Sequence, residues 1–77
     1  TSLRFSLSEA AAVTLSVHDI DGRRLATLIE GERFGPGEQR LNWEGGDDAG
    51  RDLPSGLYLL RLEAGRGWDS QKLILLR

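Results

Sequence analysis

Residues 13–22 read Val-Thr-Leu-Ser-Val-His-Asp-Ile-Asp-Gly, an alternation of apolar and polar side chains that ends in Asp-Gly. Apolar residues at every second position are typical of a β-strand with one buried face, and β-branched residues favour the same structure. Asp-Gly readily adopts the backbone conformations of a tight hairpin. The sequence therefore predicts a strand with Thr14, Ser16 and His18 on its polar face, which folds back on the strand that follows.

Strand-like runs also lie on both sides of this segment. Leu3 to Leu7 alternates in the same way, and Arg24 to Glu30 is interpreted as a strand, although Leu25, Leu28 and Ile29 would also suit one helical turn. Further strands are predicted at Glu38 to Trp43, Leu57 to Leu62 and Ser70 to Arg77, with a possible short seventh strand at Glu32 to Phe34. Six to seven short runs separated by Gly, Pro and Asp predict an all-β, antiparallel β-sandwich.

Two of these segments carry more specific expectations. Leu57 to Leu62 is apolar on both faces, which predicts a central strand covered on each side or twisting between two layers. Residues 44–56 contain so many turn-forming residues that they are predicted to form the longest loop.

Length and composition exclude several classes of function. The 77 residues carry 10 Lys and Arg against 12 Asp and Glu, so electrostatic binding to nucleic acid has no support. One small domain is expected over residues 1–77, with any ligand on a rim or face. The chain has no Cys for a disulfide or thiolate site, and no apolar run long enough to predict a membrane span. The absence of Met predicts that the chain is a fragment of a longer protein.

The residues offer little for catalysis or metal binding. His18 is the only histidine, and no nucleophile-elbow pattern accompanies it, so a surface or rim position is expected. Zinc would need more His or Cys ligands than the chain has. Asp47, Asp48 and Asp52 could form a weak calcium site, but Asx turns are the favoured interpretation. No catalytic residue and no cofactor is therefore predicted.

The aromatic residues raise one further alternative. Trp43 ends an alternating strand and Tyr58 lies in the most apolar run, so both are predicted to pack in the core. Trp68 is the aromatic residue expected to be exposed. A platform of Trp and Tyr would suit a sugar ring, which keeps carbohydrate binding as an alternative function.

The order of several motifs resembles a known family. The blocks are Leu3 to Leu7, Val13 to Asp19 with the turn at Asp21-Gly22, Leu41-Asn42-Trp43-Glu44-Gly45, Leu53-Pro54-Ser55-Gly56-Leu57-Tyr58, and the terminal Lys72 to Arg77. Together they resemble the Ig-like domain of the flagellar hook-capping protein and the related type A C-terminal sorting domains of the type IX secretion system. The resemblance implies an Ig-like β-sandwich.

For function, the resemblance implies a non-catalytic, C-terminal module of a secreted or cell-surface bacterial protein. Such a module would act as a sorting or attachment domain read by outer-membrane secretion machinery. A structural assembly domain of a hook cap or extracellular filament, in contact with neighbouring subunits, is the alternative. The candidate recognition residues are Gly56, where a turn enters a packed strand, and Tyr58, followed by Lys72, Leu73, Ile74, Leu75, Leu76 and Arg77 of the last strand.

Overall fold

The computed structural model describes residues 1–77, and all of its regular elements are β-strands. The strands are β1 (Ser2–Leu7), β2 (Ala11–His18), β3 (Arg24–Phe34), β4 (Gly37–Asn42), β5 (Gly56–Ala64) and β6 (Gly67–Leu75). The predicted all-β class is confirmed. No helix of the length and apolarity needed to cross a membrane is present.

The six strands form two antiparallel sheets that pack as an Ig-like sandwich. One sheet contains β1 and β4, and the other has the order β3-β2-β5-β6. The predicted hairpin joins β2 to β3, whereas β2 pairs on its other side with the distant β5. The strands β3 and β6 are therefore the two edges of the larger sheet.

The core lies between the sheets and follows the alternation of the sequence. The buried side chains of β1 are Leu3, Phe5 and Leu7, and those of β2 include Val13, Leu15 and Val17. They pack with Ala26 and Ile29 of β3, Trp43, Leu53, Tyr58 and Leu75. Trp43 and Tyr58 thus occupy the core positions predicted for them. At one end, the rings of Phe5 and Phe34 meet edge to face with their centroids 5.5 Å apart.

The structure corrects the predicted bounds of several strands, including β5, which spans Gly56–Ala64 rather than Leu57 to Leu62. β3 continues to Phe34, so the possible seventh strand at Glu32 to Phe34 is the second half of β3. Register shifts between β2 and β3 explain why the apolar residues of β3 do not alternate strictly. β4 ends at Asn42, and β6 spans Gly67–Leu75 rather than Ser70 to Arg77.

Two expectations about burial are wrong. The strand β5 is an inner strand of the larger sheet, as predicted, but no second layer covers its outer face, where Leu57 is 44% exposed. Ser16, expected on a solvated polar face, is fully buried although it points away from the inter-sheet core. It lies on the central strand β2 opposite Arg61, and its hydroxyl is hydrogen-bonded to His18, which together shield it from water.

Candidate functional site

The loop of residues 43–55, which joins β4 to β5, is held by specific polar contacts. The indole N–H of Trp43 donates to the carbonyl oxygen of Gly46 at 3.1 Å, and Gly46 forms an isolated bridge with Asp52. At the start of β5, the hydroxyl of Tyr58 donates to the carbonyl oxygen of Pro54 at 2.6 Å. A tyrosine bonded to the backbone a few residues upstream is the tyrosine corner of Ig-like sandwiches. Tyr58 therefore fixes the point where the loop enters the sheet.

Asp47 organises the turn within this loop. Its carboxylate accepts backbone N–H groups from Ala49 at 3.0 Å and Arg51 at 2.9 Å, and it contacts the Arg51 guanidinium at 3.1 Å. The backbone hydrogen bond from Arg51 is the main reason that the pKa of Asp47 lies below its usual value, with the charge of Arg51 adding to the effect. The predicted Asx turn is confirmed at this position.

The carboxylates considered for calcium binding have separate partners. Asp47 holds its own turn, Asp48 accepts the backbone N–H of Thr27 at 2.9 Å, and Asp52 lies 3.8 Å from the Arg77 guanidinium. No group of three or more His, Cys, Asp or Glu side chains is placed to hold a metal ion. The loop is therefore organised by hydrogen bonds within the protein.

Arg77 ties the end of the chain to this loop. Its guanidinium donates hydrogen bonds to the carbonyl oxygens of Leu53 and Gly45, and its backbone N–H donates to the hydroxyl of Ser55 at 2.9 Å. The Arg77 side chain as a whole is 35% exposed. The last of the candidate recognition residues is thus engaged within the domain itself.

The other candidate residues divide between the two faces of the larger sheet. On the inner face, Tyr58 lies opposite Leu73, and Gly56 lies opposite Leu75. Tyr58 and Leu75 are buried, and Leu73 is half-buried. These side chains hold β6 against the core. Gly56 begins β5 directly after the 43–55 loop, has no positive φ, and would leave a Cβ without any contact within 4 Å.

On the outer face, Lys72 and Ile74 of β6 are exposed, as is Leu76 immediately after the strand. Ile74 lies opposite Leu57 of β5, and 65% of Ile74 is accessible. Leu57 is not among the predicted recognition residues, because the apolar run of β5 does not indicate which face of the strand lacks a covering layer. Leu57 and Ile74 form an exposed apolar pair beside Lys72, the part of the candidate site that another molecule can reach.

Trp68 is exposed on the same outer face, as predicted. The Arg61 guanidinium carbon lies 4.5 Å from the centre of the Trp68 ring, and Arg61 also contacts Glu63 at 3.5 Å. Because Arg61 stacks on the indole, and because Trp43 and Tyr58 are buried, the aromatic residues do not form the platform considered for a sugar ring.

His18 forms a polar chain with its neighbours. Its Nδ1 lies 3.2 Å from the carbonyl oxygen of Gly22, which can only accept, so in the neutral ring Nδ1 donates and Nε2 accepts the Ser16 hydroxyl at 2.9 Å. A serine bonded to a histidine is the arrangement of a nucleophile and base. Here, however, Ser16 is fully buried, and a carbonyl occupies the place of the orienting carboxylate. The pair links β2 to its following turn.

The two edges of the larger sheet differ in a way that local sequence patterns do not show. At β3, the backbone N–H of Asp48 donates to the carbonyl oxygen of Leu25, and the Asp48 carboxylate accepts the N–H of Thr27. The 43–55 loop thus covers part of that edge. At β6, β5 occupies one side, and no strand pairs with the other.

Comparison with known proteins agrees with this architecture. The family model described as the FlgD Ig-like domain matches residues 1–67, which include the first five strands and the start of β6. No curated protein and no solved structure shows a significant match. The matched region covers most of the chain and contains the hairpin, the 43–55 loop and the tyrosine corner. The chain therefore belongs to the FlgD Ig-like domain family.

Proposed function

We propose that residues 1–77 form a non-catalytic structural module that contacts neighbouring protein subunits in an extracellular bacterial assembly. Membership of the FlgD Ig-like family supports a role in assemblies of the hook-capping type. The observation that carries the proposal is the uncovered outer face of β5 and β6, where Leu57 and Ile74 form an exposed apolar pair and Trp68 is exposed at the other end of β6. Exposed apolar residues grouped on one surface are typical of protein–protein contacts.

The proposal takes residues 1–77 as one domain of a longer secreted or surface protein. Within that protein, the domain would present its β6 side to a partner while its core and 43–55 loop maintain the shape of the surface. Ser16 and His18, the nearest approach to a catalytic pair, contribute to stability and not to chemistry on this proposal.

Site-specific photocrosslinking in the full-length parent protein tests this function. A photoreactive residue at Ile74 is expected to crosslink to a neighbouring subunit of the assembled structure. The matched control carries the same group at Arg40, an exposed residue of the other sheet. Crosslinking from Arg40 with none from Ile74 would contradict the proposed contact surface, and absence of crosslinks from both would contradict an assembly role.

Sorting by outer-membrane secretion machinery is a second candidate. It is favoured by the exposure of Lys72, Ile74 and Leu76, which places half of the terminal candidate segment on the surface. On this proposal the machinery would read the outer side chains of the folded last strand, because the inner side chains and Arg77 are engaged by the domain.

A reporter fused to residues 1–77 tests sorting in a bacterium that has the type IX system. Export is expected for the original domain and is expected to fall when Lys72, Ile74 and Leu76 are all changed to Ser. The control is Ile20→Ser, since Ile20 is 67% exposed and lies outside the last strand. Gly56→Val adds a probe of the other candidate segment, because a Cβ there would meet no atom within 4 Å; unchanged folding and export of this variant would contradict a role for Gly56. Normal export of the triple variant would contradict sorting through these residues.

A further inference from the structure

The free edge of β6 has a defined set of available backbone groups. Gly65 and Arg66 form the turn between β5 and β6, and Ala64 pairs with Gly67 across it. A two-residue hairpin of this kind closes on a hydrogen-bonded pair. Hydrogen-bonded and non-hydrogen-bonded pairs then alternate along an antiparallel ladder. The N–H and C=O groups of the residues at 68, 70, 72 and 74 consequently point away from β5.

A side-chain contact supports this assignment independently. The backbone N–H of Ser70 donates to the carboxylate of Asp69 at 2.9 Å. An N–H engaged in the β5 ladder could not take this partner with good geometry. Ser70 therefore directs its N–H outward, where a side chain of its own strand occupies it.

The space beside β6 is also open. A cavity of about 410 Å³ lies between β6 and β1, with Phe5, Leu15 and Leu60 in its wall and Asp69 and Gln71 on the β6 side. No strand of the domain pairs with the outer side of β6. An added strand would meet β6 without first displacing β1.

The outer side chains of β6 are complementary to a second copy of themselves. Trp68 and Ile74 are 64% and 65% exposed, and each lies three residues from Gln71. An antiparallel pair of β6 strands related by a two-fold axis at Gln71 places Trp68 of each copy opposite Ile74 of the other. In the same register, Ser70 lies opposite Lys72. The outward backbone N–H and C=O groups of residues 68, 70, 72 and 74 can then all form hydrogen bonds with the second copy.

Neighbouring registers are less favourable. An axis at Lys72 would place the two Lys72 side chains directly opposite, and like charges in that position destabilise a sheet. An axis at Ser70 would pair Ile74 with the turn residue Arg66 and leave it without an apolar partner. The register with its axis at Gln71 avoids both conflicts and gives the self-complementary surface that a two-fold dimer requires.

We propose that two copies of this domain associate through antiparallel pairing of their β6 strands, with the axis at Gln71, to form a continuous eight-stranded sheet. The inference deepens the proposed assembly function and rests on it, since it names a second copy of the chain as the neighbouring subunit. Asp69 acts as a local competitor, because its carboxylate must release the Ser70 N–H before the partner strand can bind it.

Cysteine crosslinking tests the register directly, because the chain contains no cysteine. Gln71 is a non-hydrogen-bonded position, so two Cys residues at 71 would lie on the axis with Cα atoms about 4.5 Å apart, within disulfide range. The expected result is rapid disulfide-linked dimer formation by Gln71→Cys under mild oxidation. The control is Leu76→Cys, which is 82% exposed just after β6 and would lie opposite Arg66 of the partner, about 33 Å along the strand from its own counterpart. Equal crosslinking rates for the two variants would overturn the proposal.

Sedimentation velocity of the domain over a range of concentrations supplies a second test. Ser70→Pro removes the outward N–H of an edge strand, where proline is tolerated, and is expected to weaken dimer formation by at least about tenfold. Ser70→Ala keeps the N–H and is expected to dimerise like the original domain. Circular dichroism establishes that each variant is folded. If Ser70→Pro does not fold, the crosslinking rates of Gln71→Cys and Leu76→Cys still test the proposal.

The outcomes separate this inference from the assembly function. A domain that stays monomeric at millimolar concentration, or a folded Ser70→Pro variant that dimerises normally, overturns pairing through β6. If the photoreactive group at Ile74 in the parent protein then crosslinks to a different protein, self-pairing fails and the assembly role stands. A crosslink between two copies from Ile74, together with the Gln71→Cys dimer, supports both.

Discussion

The anchoring of Arg77 in the 43–55 loop predicts an unusual sensitivity at Gly45. Gly45 and Gly50 have nearly the same positive φ, 82° and 81°. An alanine at either position would carry the strain of a left-handed backbone, about 1–2 kcal/mol. A Cβ at Gly50 would meet no atom within 4 Å, whereas one at Gly45 would lie 2.5 Å from Nη2 of Arg77. The two substitutions therefore share the backbone effect and differ in the contact.

The contact adds to the cost because Arg77 is not free to swing away. Its guanidinium donates to the carbonyl oxygens of Leu53 and Gly45, and moving it breaks these bonds. Hydrogen bonds from a charged donor contribute about 1.5–3 kcal/mol when buried, and partial exposure lowers the value. Gly45→Ala is therefore expected to reduce the free energy of unfolding by about 1–2 kcal/mol more than Gly50→Ala does.

Urea denaturation followed by the fluorescence of the buried Trp43 measures both substitutions. The comparison is repeated in an Arg77→Ala background, where the guanidinium is absent and Gly45→Ala is expected to cost little more than Gly50→Ala. A coupling of at least about 1 kcal/mol between Gly45→Ala and Arg77→Ala is predicted. Equal losses for the two glycine substitutions in the original domain, or strict additivity with Arg77→Ala, would refute the anchoring of the chain end by this loop.

Three further predictions concern other parts of the domain. Tyr58→Phe leaves the carbonyl oxygen of Pro54 without its partner and is expected to lower the free energy of unfolding by about 1–2 kcal/mol, measured by urea denaturation. Asp47→Asn is expected to lower the free energy of unfolding at neutral pH. The decrease of this free energy at acidic pH is expected to be smaller in the variant than in the original domain. The Asp47 pKa lies below its usual 3.8, so its charged form stabilises the fold above that range and the effect fades as pH falls through the lowered pKa; urea titrations at several pH values measure this. Leu15→Ala is expected to cost about 2–5 kcal/mol, because Leu15 is 1% exposed in the core, and thermal unfolding would detect a loss of that size.

The strands β1 and β2 could be predicted because the alternation of apolar and polar residues in the sequence matches the alternation of buried and exposed positions in the structure. In β1 and β2, residues at alternate positions face the core, so Leu3, Phe5, Val13 and Leu15 reveal both the strand and its buried side. In β3 this link is weaker. Bulges against β2 shift the register, and the apolar residues then lose their period of two, so the pattern predicts an end at Glu30 although the strand continues to Phe34.

The candidate site depends on contacts between residues that are far apart in the sequence, which local sequence patterns do not predict. Whether β6 lies at an edge is decided by the pairing of β2 with β5, two strands far apart in the sequence. The Arg77 side chain reaches a loop 24 and 32 residues away. A terminal Lys to Arg segment with apolar residues indicates a strand, but it does not show that Arg77 is tied down or that Ile74 is exposed.

The last strand therefore combines two roles that limit how a partner can bind it. Its inner residues and Arg77 fasten it to the core and loop, so pulling it out as an extended peptide would expose Tyr58 and break the Arg77 bonds at once. Its outer residues and free edge are accessible without any such loss. Binding to an existing surface avoids the free-energy cost of unfolding. A partner therefore binds most favourably to the folded edge of β6. Subunit contact and recognition by secretion machinery would then compete for the same surface, and a domain paired through β6 would have to separate before the machinery could engage that edge.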